Sequence, residues 1–307
     1  MEIDQRPIII AGGSGFLGQS LVQHLRAIGC DESVVVLTRG PSGDDGNVRY
    51  EKWDAQTIGD WAKKIDGAKA IVNVVGRTVD CVKNARNKKV ILDSRIDSVR
   101  VLAEACNRAK TPPAVWVQAA TAHIFGDTGE KILDESSPIG TGFAPIIGTA
   151  WEKAFNDADL PDTRRVTLRI SFVIGRGGGA LKTLALLTRL GLGGPTGSGK
   201  QYMSWVHEYD LNQTILRAID TPMMDGIYVV TAPKPETNDD FMRMLRTQLR
   251  RPWSPRVPEW AVRVGAVFLR TDPELALYGR RCVPTRLTNE GFAFRFPDLH
   301  SALADLL

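Results

Sequence analysis

The 307-residue chain is poor in the residues that build metal and disulfide sites. Its four cysteines (Cys30, Cys81, Cys106, Cys282) lie far apart, with no CxxC pair, and its four histidines are scattered. That spacing argues against zinc and reads as buried thiols of a reducing compartment, so no metal is expected. No apolar run reaches the roughly 20 residues that a bilayer-spanning helix needs. The opening "MEIDQRPIII" carries acidic residues where a secretory signal would be basic, and no cleavage pattern follows. A cytoplasmic location and no membrane partner are therefore expected. An excess of one charge is missing too: 39 basic and 35 acidic residues leave a net charge of +4. That surplus is too small and dispersed for nucleic acid, whereas an anionic small molecule would suffice. Repeats and low-complexity segments are absent.

A globular composition is present, 43% hydrophobic and 24% charged. Short β-branched runs at 7–11, 33–38, 48–53, 70–75, 114–120 and 165–170 alternate with stretches of helical spacing, notably "GFLGQSLVQHLRAIG" and "NKKVILDSRIDSVRVLAEACNRA". Such alternation predicts an α/β fold, a Rossmann-type doubly wound parallel sheet with helices on both faces. A seventh strand is expected at 226–232. Residues 1–175 and 205–232 are read as the cofactor domain. The glycine-flanked helix within 176–204 is read as a lid, and 233–307 as a smaller mixed C-terminal substrate lobe.

The segment "PIIIAGGSGFLGQSLVQHL" carries the strongest chemistry. Gly12, Gly15 and Gly18 fit GxxGxxG, and Gly13, Gly15 and Gly18 fit GxGxxG, in both cases after an apolar strand and opening an amphipathic helix. Without Cβ atoms the backbone can turn tightly against a pyrophosphate, which the helix N-terminus attracts. Gly12, Ser14, Gly15, Phe16, Leu17 and Gly18 are the expected cofactor contacts. An NAD site wants a carboxylate at the end of the second strand. "VVVLTRG" offers Thr38 and Arg39 instead, and an arginine can pair with a 2′-phosphate. NADP is the expected cofactor; an exposed arginine merely near the loop is the alternative.

Further segments resemble the extended short-chain dehydrogenase/reductase superfamily. "AIVNVVG" resembles its NxAG turn after the fourth strand, with Val75 for alanine, which implies that Val75 and Gly76 contact the cofactor. "VQAATAHIFG" resembles its SSxxxYG strand end, with Thr121 at the hydroxyl position and Phe125 for tyrosine. "MSWVHEYDL" resembles the segment that closes the cofactor domain. "SRI" (94–96), "WE" (151–152), "GGAL" (178–181), "GLGGPTGSGKQYMSWVH" and "RLTNEGFAFRFPDLHSALADLL" bring the resemblance to an atypical branch, the YfcH-like epimerase family proteins. The resemblance spans nearly the whole chain. It implies a nucleotide-binding fold and cofactor better than a substrate.

In that superfamily a Tyr-x-x-x-Lys pair handles the proton as hydride moves, while a Ser/Thr hydroxyl polarises the carbonyl. This chain has no tyrosine between Tyr50 and Tyr202 and no lysine between Lys131 and Lys153. Anchoring on Glu152 puts Ala144 and Gly148 near the missing pair. Thr121 and His123 alternate at the end of one strand and are the catalytic candidates, His123 being a general acid or a packed or solvent-facing loop residue. Glu152 is a base or a structural helix carboxylate, and Trp151 is core or pocket wall. Arg77 and Arg95 meet an anionic substrate or form a solvated surface pair. His207 is read as a structural hydrogen bonder and Asp210 as the cap of "DLNQTILRAI". "GGPTGSGKQ" is not a phosphate-hydrolysing loop, since Gln201 stands where Ser or Thr is needed.

Two functions fit. One is an NADP-dependent oxidoreductase or epimerase acting on a small sugar or carbonyl substrate, free or nucleotide-linked, with an unorthodox proton donor. The other is a non-catalytic NADP(H)-sensing protein that regulates a partner. The sequence leaves the oligomeric state open.

Overall fold

The computed structural model describes residues 6–30, 32–251 and 253–307. Residues 1–5, which carry the acidic start of the chain, lie outside them. Eight strands form the main sheet: β1 (Ile8–Ala11), β2 (Val34–Thr38), β3 (Gly43–Asp45), β4 (Val48–Lys52), β5 (Ala70–Asn73), β6 (Val115–Thr121), β7 (Arg164–Ile170) and β8 (Gly226–Val230). Their spatial order is β8-β7-β6-β5-β1-β2-β4-β3, parallel throughout except for β3, which pairs antiparallel with β4. Ile8, Ile9 and Ile10 and all of Val34–Leu37 are at most 3% exposed. Strands covered on both faces have no polar side to alternate with, so they read as unbroken aliphatic runs. The three exposed residues of β3 give no such signal and were not foreseen.

Six helices flank or follow the sheet before the C-terminal region: α1 (Phe16–Ala27), α2 (Ala85–Arg108), α3 (Phe143–Asn156), α4 (Gly179–Arg189), α5 (Glu208–Asp220) and α6 (Asn238–Gln248). Strand order reverses between β1 and β5, the switch point outside whose carboxyl ends open α/β sheets take ligands. Gly178, the N-cap of α4, and Gly179, its first residue, lie against the Phe16 ring, with ideal Cβ positions both 3.1 Å from it. The start of α4 is thereby seated on the first residue of α1.

The expectation that Asp210 caps α5 is incorrect. The cap is His207, whose Nδ1 accepts from the Tyr209 amide at 3.0 Å. Asp210 lies one turn in, buried, and accepts from the amides of Arg295 and Phe296 at 2.8 and 3.0 Å. A helical first-turn carboxylate normally serves its own helix; this one fastens the C-terminal chain. That chain continues into α7 (Glu259–Leu269), α8 (Glu274–Leu277), α9 (Thr285–Asn289) and α10 (Leu299–Leu306). Leu299, Ala302 and Leu303 of α10 share a second core with Phe241 and Leu245 of α6, Leu181 of α4 and Trp205. One small ladder ties the C-terminal region to the chain that follows β6, and another joins the segments that follow β7 and α4. Arg281–Cys282 pairs with Ile132–Leu133, and Trp205–His207 pairs with Phe172–Ile174.

Candidate functional site

Each glycine after β1 has its own steric reason. Gly12 turns at φ +83°, and a Cβ there would stand 3.0 Å from the Val75 amide nitrogen. One on Gly13 would meet Val36 at 2.5 Å, and one on Gly18 would stand 2.3 Å from the Gly13 Cα. Gly18 therefore lets α1 start against the loop itself. Gly15, at the N-cap, is crowded only by the Gly12 carbonyl at 3.3 Å. No side chain caps the helix, so the first-turn amides face outward with their dipole uncompensated. Ser14 is exposed at the loop's tip, and Phe16 and Leu17 are partly buried at its base. The cradle fits a dinucleotide pyrophosphate.

Across the switch point, buried Asn73 holds the neighbouring turn. Its Oδ1 accepts from the Val75 amide at 3.1 Å, while its Nδ2 donates to Gln118 at 3.0 Å. Gly76 and Arg77 follow, exposed. At the end of β2, Thr38 is buried and its Oγ1 accepts from Gly40 N at 3.1 Å. Arg39 points outward and makes no ion pair or hydrogen bond among the described residues. It lies beside the loop with its charge free.

Arg95 of α2 is buried at 9% exposure. Its Nη1 donates to the carbonyls of Arg77 and Ile91 at 3.2 and 2.9 Å. Its plane lies over the Trp151 ring, 4.8 Å to the centroid. Its Nη2 is the nearest atom, at 3.1 Å, to a Cβ built on Gly76. No carboxylate accompanies it among the described residues, and burial lowers its pKa to about 10. The Nε of Arg95 and the indole Nε1 of Trp151 are both buried without a hydrogen-bond partner. Two orphaned donors in contact with each other are uncommon in a finished interior. Arg77 and Arg95 are therefore no solvated pair; one is exposed, the other interior.

The strand reading of Thr121 and His123 needs revision. β6 ends at Thr121, and Ala122–Phe125 form a 3-10 turn that Thr121 caps, its Oγ1 accepting from the His123 amide at 3.1 Å. The two residues lie on successive elements, so alternation along a strand does not align them. The Thr121 hydroxyl proton is still free to donate. His123 keeps some exposed surface, yet burial of the ring holds its pKa well below the ordinary value, helped by Arg280 and Lys83 nearby.

Glu152 is a structural carboxylate. Both its oxygens accept from Arg169 of β7 at 2.8 Å, in a pair 7% and 4% exposed. At the position of the missing lysine, Gly148 of α3 packs on the 3-10 turn, where a Cβ would lie 3.0 Å from Ile124. Any side chain at that position would press on the turn. Sequence reasoning missed Asn73, Arg169, Lys83, Asp272 and Arg280. Only Asn73, inside "AIVNVVG", lay within a recognisable motif.

Among the described residues no group of three or more His, Cys, Asp or Glu is placed to hold a metal. No helix there is long and apolar enough to cross a membrane.

A parallel sheet with a glycine cradle at its switch point defines a Rossmann dinucleotide-binding protein of the extended short-chain type. The chain belongs to the NAD dependent epimerase/dehydratase family, whose pattern matches residues 8–230. A domain of unknown function, DUF1731, matches residues 257–306. The chain is 35% identical over 307 residues to the epimerase family protein SDR39U1 of Bos taurus, covering 98% of this chain and 99% of that one. An Arabidopsis thaliana homolog of SDR39U1, named chloroplastic, is 30% identical, with 99% and 87% covered. The crystal structure of human SDR39U1 with NADPH is similar at a TM-score of 0.86 and 32% identity, covering 98% of each chain. An NAD(P)-binding member of the epimerase family is thus defined.

Proposed function

We propose that the protein is an NADP(H)-dependent oxidoreductase or epimerase-like enzyme acting on a small carbonyl or sugar substrate. The observation that carries the cofactor choice is the unpaired guanidinium of Arg39 at the end of β2, with no carboxylate in its place. Gly12, Ser14, Gly15, Phe16, Leu17 and Gly18 would hold the pyrophosphate, Arg39 the 2′-phosphate, and Val75 and Gly76 the neighbouring face. The dinucleotide, when bound, supplies hydride exchange at its nicotinamide. Thr121 then orients the substrate oxygen through its free hydroxyl proton. His123, neutral in the unliganded protein, is a proton acceptor or relay before it is a donor. Arg77 would be the exposed part of the substrate wall, with Arg95 and Trp151 as its buried backing, a role their two orphaned donors support.

Charge-assisted hydrogen bonds contribute about 1.5–3 kcal/mol. Arg39→Ala should therefore weaken NADPH binding about tenfold or more in a fluorescence titration and leave NADH binding nearly unchanged. Equal affinities for NADPH and NADH in the unsubstituted protein would overturn the assignment.

The second reading, an NADP(H) sensor without turnover, draws on Gly148. Its close packing on Ile124 removes the lysine's place rather than leaving it vacant. The seating of Gly178 and Gly179 on Phe16 gives such a sensor a route from cofactor loop to lid. Turnover of any carbonyl compound with NADPH decides for the enzyme.

A further inference from the structure

One cation beside the Thr121–His123 turn is assigned no role by the reading above. Arg280 enters from the C-terminal region, just before the Arg281–Cys282 ladder, and its amide donates to the Tyr202 carbonyl at 3.0 Å. Its Nε donates to the Gly126 carbonyl at 3.2 Å. Gly126 closes the 3-10 turn, its own amide bonded to the His123 carbonyl at 3.0 Å. That is the sole side-chain hydrogen bond of Arg280 among the described residues, and no carboxylate pairs with it. Asp127, the residue after Gly126, accepts from the Gly279 amide through its Oδ1 at 3.0 Å. The other cation beside His123, Lys83, is already neutralised by Asp272 at 3.2 Å.

We propose that Arg280 forms a carboxylate-binding subsite beside His123, and that the substrate is a small oxo acid or the corresponding hydroxy acid. The proposal rests on the enzyme reading above and narrows its substrate class. A guanidinium presents five N–H groups in a planar fork, and four of those of Arg280 are unengaged, the right geometry for a carboxylate. Because the fork is tied to the turn that contains His123, anion and reacting carbonyl are held close together. A short spacer between the two groups follows. A nucleoside diphosphate fits less well. It brings further charge, while Lys83 is already paired, Arg95 has Nη1 bonded to two carbonyls beneath the Trp151 ring, and Arg281 lies over the Tyr202 ring at 4.7 Å, which leaves the solvent-exposed Arg77 to meet it.

The test is a calorimetric titration of the full-length protein with oxamate, an unreactive oxo-acid analogue, with and without NADPH. UDP and inorganic phosphate serve as competing probes. Histidine C2–H resonances are followed in parallel, the His123 signal being assigned with His123→Asn. Oxamate is expected to bind one to one and to move the His123 resonance. Arg280→Gln should weaken it about ten- to a hundredfold, as loss of a charge-assisted pair does. Should that variant fail to fold, the resonance in the unsubstituted protein decides. Silence of His123 at saturating oxamate, unchanged affinity in a folded Arg280→Gln, or binding of UDP or phosphate alone would each overturn the subsite. Loss of NADPH binding is read separately in the same cell, so failure of the cofactor assignment is not mistaken for failure of this one.

Discussion

Glu152 and Arg169 show how one side chain can change meaning between sequence and structure. In the linear chain Glu152 is a helix carboxylate near an expected active site, and nothing marks Arg169, 17 residues on, as its partner. Folding brings α3 against β7 and leaves both charges nine-tenths buried, bonded at 2.8 Å through two parallel hydrogen bonds. Removing one member of such a pair strands the other charge in low dielectric, at roughly 3–5 kcal/mol. Glu152→Ala should lower stability by about that amount in urea unfolding. A Glu152→Leu, Arg169→Met double variant should recover most of it, since no uncompensated ion then remains. A catalytic Glu152 would instead abolish turnover while leaving the unfolding midpoint unchanged. Glycine identities were legible for the opposite reason, because φ +83° at Gly12 and the 2.3 Å approach at Gly18 are demands of the local loop itself.

At the level of elements, the start of α5 fastens the C-terminal chain. His207 caps the helix, and Asp210 fixes Arg295 and Phe296 through their amides. Burial raises the pKa of Asp210 despite those two donors. Its ionised form is thus less comfortable than two charge-assisted bonds alone would suggest. Asp210→Ala leaves the buried Phe296 amide without an acceptor, at about 1–3 kcal/mol. The expected result is faster hydrogen exchange at residues 295–303, with exchange in β1 and β2 unaffected until global unfolding. The sequence could not show this strap. "VHEYDL" carries two acidic residues in a first helical turn, where both caps and long-range anchors occur, and the choice depends on a segment 85 residues away.

For the whole molecule, acid response follows from its buried histidines. His24, His123 and His207 all have pKa values lowered by burial, so the folded state prefers each ring neutral. Below the ordinary value of 6.5 the unfolded chain binds more protons than the folded one, and stability falls as pH falls. This loss continues until pH passes the folded pKa of each ring. Its steepest slope is about 1.4 kcal/mol per pH unit for each histidine. Asp210 and Glu236, both raised, act with the opposite sign at lower pH. There the folded state binds more protons, and their stabilisation is lost as pH rises through their folded values. Thermal unfolding should therefore show the melting temperature dropping between pH 6.5 and 5.5. A His24→Gln, His207→Gln double variant should flatten that drop; an undiminished slope would assign acid lability to other groups.

The sequence by itself determined the parallel sheet, the dinucleotide cradle and the loss of the tyrosine and lysine. Aliphatic runs, glycine spacing and missing residue types are properties of short stretches of chain, imposed by strand burial and backbone sterics. Tertiary structure alone decided which charges are spent on each other and which stay free. Arg39, Arg95, Arg169 and Arg280 are the same residue type in the sequence. Only the packing of distant elements pairs Arg169 with Glu152, seals Arg95 under Trp151, and leaves Arg39 and Arg280 without a carboxylate. Electrostatic identity depends on neighbours in space, and those neighbours lie many residues apart along the chain.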